Sequence, residues 1–242
     1  MKQTISIFCL IFLIGCSQSE PKSHDKLYSG NSSPKSKDID LGQYVLNVPS
    51  DFEIEKQDGI DSNVGILRNG EIEIHWDYGY YSNRLALSVP EYLQHSMWWS
   101  PAVYKYMNGY NSHEKPRALK VIEIRKPKPE EFPGVRNADI VVDCKLDTIN
   151  FSWPITLSDD TKKHEFIIDT TGSVIRKIVS PKTVGDGYFG VHLVDTSTYN
   201  PSINSAMKLT ISTRDTLVSH EKTIMDIFKS VKKKEKRHAN NG

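Results

Sequence analysis

An α+β fold, one globular domain of mostly antiparallel sheet with two main helices, is predicted by three features of the 242-residue sequence. Short runs alternate apolar and polar residues along most of the chain and are bounded by turn residues. An Asn-Gly pair joins two of these runs, as in a hairpin. Two other stretches, one opening at Ser88 and one from Ile224 to Val231, carry helical signals instead. Antiparallel strands with a helix near each end pack as layers around one core.

The elements follow in order. Tyr44-Val45-Leu46-Asn47-Val48 and Phe52-Glu53-Ile54-Glu55 read as strands on either side of a Pro49-Ser50-Asp51 turn. Asn63 to Leu67 and Glu71 to Tyr78 read as a hairpin through Asn69-Gly70, whose type I′ turn sets Arg68 opposite Glu71 and Leu67 opposite Ile72. Along its second strand Ile72, Ile74, Trp76 and Tyr78 face the core, while Glu71, Glu73, His75 and Asp77 face water. Ser88-Val89-Pro90-Glu91 fits a capping box, so a helix is expected over Val89–Trp98. Further strands are expected at Val121–Arg125, Asp139–Leu146, Glu165–Asp169, Val174–Val179, Tyr188–Val194 and Lys208–Ser212. Ile224, Ile227, Phe228 and Val231 recur at helical spacing, placing the last helix from about Ser219 to the lysines. The Pro-rich stretch Lys126 to Gly134 is a loop placed to divide two lobes of one domain.

The N-terminus reads as an address. Lys2, an apolar run from Ile5 to Ile14, and Leu13-Ile14-Gly15-Cys16 resemble the signal and lipobox of bacterial lipoproteins. That resemblance implies cleavage after residue 15, a diacylglyceryl thioether on Cys16 and acylation of its amino group. The apolar run is about half of the roughly 20 residues that cross a bilayer, so a spanning helix is disfavoured. Residues 16–38 are rich in Ser, Lys, Pro and Asn and read as a flexible tether. The globular domain is expected over 39–233 and a basic, disordered tail over 234–242. Ser17, where an Asp would resemble an inner-membrane retention signal, favours the outer membrane in a host that has one.

Composition narrows the function classes. The formal charge is +1, from 31 basic and 30 acidic residues, which implies no nucleic-acid partner. By the lipobox resemblance Cys9 would leave with the signal and Cys16 would carry lipid, so no internal disulfide is expected. Cys144 is the remaining cysteine. It shares a strand face with Ile140, Val142 and Leu146 and reads as a small buried hydrophobe.

Motifs for catalysis are scarce. There is no G-x-S-x-G elbow and no H-E-x-x-H pair, and no cofactor is implied. Ser-x-x-Lys occurs as Ser205-Ala206-Met207-Lys208 and Ser219-His220-Glu221-Lys222, with no Lys-Thr-Gly to accompany it. Asp61, His75 and Asp77, with Asp58 and Glu73 nearby, are the weak metal candidates, but strand residues two apart lie about 7 Å from one another. Trp98, Trp99, Tyr104 and Tyr106 are the candidate binding patch for a protein or glycan partner, the alternative being core under a long loop.

The order strand, Val-Pro, strand, hairpin and terminal amphipathic helix, with the phrases Leu46-Asn47-Val48-Pro49 and Ile227-Phe228-Lys229-Ser230-Val231, resembles the PsbP-type fold. Gly59-Ile60-Asp61-Ser62 and Asp77-Tyr78-Gly79-Tyr80-Tyr81-Ser82 are similar to phrases in a recurrent type of bacterial lipoprotein. Neither resemblance supplies a catalytic residue. The expectation is a lipid-anchored extracytoplasmic binding or envelope-accessory module; the alternative is a metal-assisted or serine-type envelope hydrolase with a site assembled from distant residues.

Overall fold

Sixteen elements are laid out along the chain in the computed structural model, which describes residues 35–101, 118–135, 137–214 and 217–234. In chain order they are β1 (Ser36–Leu41), β2 (Tyr44–Pro49), β3 (Glu53–Gln57), β4 (Ser62–Arg68), β5 (Glu73–Gly79) and α1 (Val89–His95). There follow β6 (Leu119–Arg125), β7 (Ile140–Leu146), β8 (Ile149–Ile155), α2 (Asp159–Lys163), β9 (His164–Thr171) and β10 (Val174–Pro181). The last are β11 (Phe189–Asn200), β12 (Ser205–Thr213), α3 (Val218–Ser230) and β13 (Lys232–Lys233). The described residues therefore form mostly antiparallel sheet with three short helices, an α+β arrangement that is mainly β.

Seven strands make the large sheet, in the order β3-β4-β5-β12-β11-β10-β9. Its inner face carries Leu67, Ile74, Trp76, Val191, Leu193, Leu209 and Ile211. Ile224, Ile227 and Phe228 of α3 join them, as do Leu41, Leu46 and Val48 from the small sheet β1-β2-β13. Gly65 is needed at its place: a Cβ there would lie 2.7 Å from Nε1 of Trp76, the residue opposite it in register. Asp195 is fully buried beside this core, where its carboxylate takes hydrogen bonds from Ser173 and Ser197 and an ion pair with Lys233. Burial pushes the acid up, but Lys233 and the serines outweigh it and hold it at about 2.

A second core forms around Leu93 of α1, Trp98, Trp99, Leu119, and the inward faces of the third sheet, β6-β7-β8. Val142, Cys144 and Leu146 of β7 lie in it, so the alternation that predicts a buried Cys144 holds. Pro154 is accepted in β8 because that strand is an edge.

Several expectations change. The register of the first hairpin is two residues away from the expected one: Leu67 pairs with Ile74 and Arg68 with Glu73. Asn69 folds its side chain over the turn, its Oδ1 accepting from the N–H groups of Glu71 and Ile72, so the loop is longer than a type I′ turn. Because the side-chain period is two, the same residues still face the core. The Pro49-Ser50-Asp51 turn does not close a hairpin; it passes the chain from the small sheet to the large one. The Pro-rich loop joins β6 to β7 within one sheet, clasped by Arg125, whose guanidinium bonds Glu131 and Asp143. Helix α1 ends at His95, three residues short of the expected Trp98, where the Ser96 hydroxyl caps the Tyr92 carbonyl. Strand β1 begins inside the expected tether, and Lys232–Lys233 leave the last helix to pair with β2. Residues 1–34 and 235–242, with the signal, Cys16, most of the tether and most of the tail, lie outside the described residues.

Candidate functional site

Antiparallel register brings one residue from each central strand into line on the outer face of the large sheet. Ile168, Lys177, His192, Thr210 and Asp77 stand side by side across β9, β10, β11, β12 and β5. The next row holds Ile175, Val194 and Lys208. A polar band on the back of a sheet needs a cover that meets its hydrogen-bonding groups, and the segment from Tyr80 through α1 supplies it.

The cover is built from short-range sequence signals. Ser88 is the N-cap of α1, and the reciprocal bonds of a capping box are present: the Ser88 hydroxyl accepts from the Glu91 N–H and Glu91 Oε2 accepts from the Ser88 N–H at 2.8 Å. Glu91 turns its other oxygen to the sheet, where Lys177 Nζ donates to Oε1 at 2.9 Å and to the Ala86 carbonyl at 3.0 Å. The Lys177 side chain is 4% exposed, so this is a buried ion pair whose ammonium is also hydrogen-bonded to backbone. Burial lowers the Lys177 pKa despite Glu91, while Glu91 is itself held below the usual range because Lys177 and Ser88 outweigh its own burial.

Thr210 anchors the segment before α1. Its hydroxyl gives its hydrogen to the Asn83 carbonyl and accepts from the Ser82 hydroxyl at 2.6 Å. His192 Nδ1 lies 2.8 Å from the same oxygen, which assigns the imidazole proton to Nδ1. Burial, then the charges of Lys177 and Lys208, push this histidine down to about 3, so it is neutral at ordinary pH. The Ala86 N–H donates to the Tyr188 hydroxyl at 2.5 Å. Between these pins Leu85 adopts φ 60, a left-handed conformation that costs a leucine about 1 kcal/mol. Its side chain sits over Gly190, where a Cβ would approach to 2.6 Å.

Beside this cover lies a cavity of about 440 Å³, within the usual size of a small-molecule site. Ile168, Ile175, Val194 and Ala206 give it an aliphatic wall, and among the described residues Arg84, Lys177 and Lys208 give it three cations against the single carboxylate of Glu91. Lys208 Nζ donates to the Tyr80 carbonyl and to Ser205 Oγ, each at 2.9 Å. Burial and the charge of Arg84 lower its pKa. With Glu91 engaged and His192 neutral, the chamber is a preformed positive site with an apolar side, suited to binding.

The residues singled out by sequence fall elsewhere. Trp98 and Trp99 are 7% and 4% exposed and belong to the second core, where Trp98 Nε1 donates to the Leu93 carbonyl. These two rings pack inward and form no surface patch; Tyr104 and Tyr106 lie outside the described residues. His75 is exposed and bonds Glu73 at 2.9 Å. Asp77 is on the same outer face but half-buried, so that face is not wholly wet; its Oδ1 is buried without a hydrogen-bond partner among the described residues. Asp58 and Asp61 are exposed in the loop before β4. Among the described residues no three His, Cys, Asp or Glu side chains converge to hold a metal ion. Ser205 and Lys208 do meet, whereas Lys222 pairs with Asp226 on the exposed side of α3.

Sequence reading missed Arg84, Lys177, His192 and Thr210. A signal existed for two of them: Lys177 shares a strand face with Ile175 and Val179, and His192 interrupts the apolar run Val191 to Val194. A polar residue on an apolar strand face marks either a partner or a site. No family model matches the chain, and no curated protein matches it.

Proposed function

We propose that the chain is a lipid-anchored, extracytoplasmic binding module, without catalysis, whose ligand occupies the cavity between Arg84, Lys177, Lys208 and the aliphatic residues of β9 to β11. The observation that carries the binding half is that the chamber is held open by internal bonds, with Lys177 locked to Glu91 and Ala86 and the cover pinned through Thr210. A preformed site loses less ordering entropy when a ligand enters. Leu13-Ile14-Gly15-Cys16 supports the anchor, and no helix among the described residues is long and apolar enough to cross a membrane. Two fatty chains or more hold a protein stably at a bilayer, so the domain is free to present its cavity.

Native mass spectrometry of the full chain released from membranes tests the site. The wild type should retain an adduct of small-molecule mass that Val194→Trp, which fills the half-buried cavity wall, lacks. Identical adduct patterns in the two would count against the cavity.

One observation favours a second reading, a serine-type hydrolase: Ser205 Oγ is 2.9 Å from Lys208 Nζ on the cavity wall. Both groups also converge on the Tyr80 carbonyl, which gives them a structural role. A fluorophosphonate probe separates the readings. The binding account expects no labelling; labelling that Ser205→Ala abolishes would establish the hydrolase.

A further inference from the structure

We propose that the ligand is an amphipathic anion, its carboxylate or phosphate head held by Arg84 and Lys208 and its apolar tail laid on Ile168, Ile175 and Val194, which rests on the cavity being the ligand site. Charge is the first observation. Among the described residues the only carboxylate lining the cavity, Glu91, is engaged by Lys177 and by its own capping box. Lys208 uses two donors on neutral oxygens, and an ammonium has three. Arg84 makes no hydrogen bond or ion pair among the described residues, yet its charge bears on Lys177, His192 and Lys208 alike. Glu91 offsets Lys177 alone, so among the described residues Arg84 and Lys208 converge without a carboxylate of their own, and a bound anion relieves that repulsion.

Placement is the second observation. Arg84 sits between two pinned neighbours, Asn83 through Thr210 and Ala86 through Tyr188, next to the strained Leu85. Such strain persists where the surroundings over-determine it, and here it fixes where the guanidinium leaves the backbone. A guanidinium offers a planar pair of donors that matches either a carboxylate or a phosphate.

The third observation is the wall. Ile168 and Ile175 are 48% and 38% exposed at the cavity, aliphatic surface that water covers poorly and an alkyl chain covers well. A neutral sugar would leave the cations unpaired, and a cationic ligand would be repelled.

Calorimetry on the full chain in nanodiscs tests this, with protein-free nanodiscs as the blank for partitioning into lipid. The titrants are octanoate, octyl phosphate, octanol and octyltrimethylammonium. At least one anion should bind saturably and about tenfold or more tighter than octanol, the worth of one charge-assisted hydrogen bond. Comparing octanoate with octyl phosphate identifies the head. Arg84 is exposed, so Arg84→Ala should keep the fold and weaken the anion about tenfold. Arg84→Lys should restore part of that loss. Octanol or the ammonium binding as well as the anions would overturn the charge assignment and leave the cavity standing as a ligand site. Binding of none of the four would overturn both. Unchanged anion binding in Arg84→Ala would remove Arg84 from the site.

Discussion

His192 makes the fold sensitive to acid. Its pKa falls from 6.5 in the unfolded chain to about 3 when folded, because burial and the neighbouring lysines oppose its charge. Between those values the unfolded chain binds more protons than the folded one, so stability rises with pH across the window and is lost on acidification. Asp195 adds a lower window: its folded pKa of about 2 lies below the usual 3.8, so its contribution is full above 3.8 and disappears as pH falls through 2. Urea unfolding at pH 7 and pH 4.5 should show a lower midpoint at the acid value, and His192→Gln should flatten the difference. An unchanged difference in the variant would place the acid sensitivity elsewhere.

At the scale of elements, α1 does two jobs that two variants separate. Ser88→Ala removes the cap and should cost about 1 kcal/mol. Glu91→Ala also strands a buried ammonium and should cost about 3 kcal/mol or more, read by the same urea titration. Equal losses would mean that the Lys177 pair contributes nothing beyond the cap. This helix start was legible because Ser88 and Glu91 lie three residues apart and cap each other whatever the rest of the chain does. The end was less so, since Trp98 and Trp99 leave the helix to fill the second core. Hairpin faces were legible from alternation, but the register was not, because the Asn69 side chain took over hydrogen bonds that a two-residue turn would have made. Least legible was the polar row. Asp77, Lys177, His192 and Thr210 come from four strands spread over the chain, and only the pairing of β5, β12, β11 and β10 puts them together.

Across the whole molecule two cores divide the labour. The large sheet, α3 and the small β1-β2-β13 sheet make a platform, sealed at its C-terminal end by Lys233 on Asp195. The second core supports α1, and Glu91 on Lys177 ties that helix to the platform's back. The cavity lies at this junction, where the chain has placed cations and aliphatic surface instead of a continuous apolar seam. The proposed binding role needs an address, and we propose that Cys16 of Leu13-Ile14-Gly15-Cys16 gives it one. Growth with a radiolabelled fatty acid, followed by recovery of the protein, tests that claim most directly: the wild type should carry label, and Cys16→Ala should remain an unlabelled precursor in full. Equal labelling of both chains would contradict the lipid anchor on which the account depends.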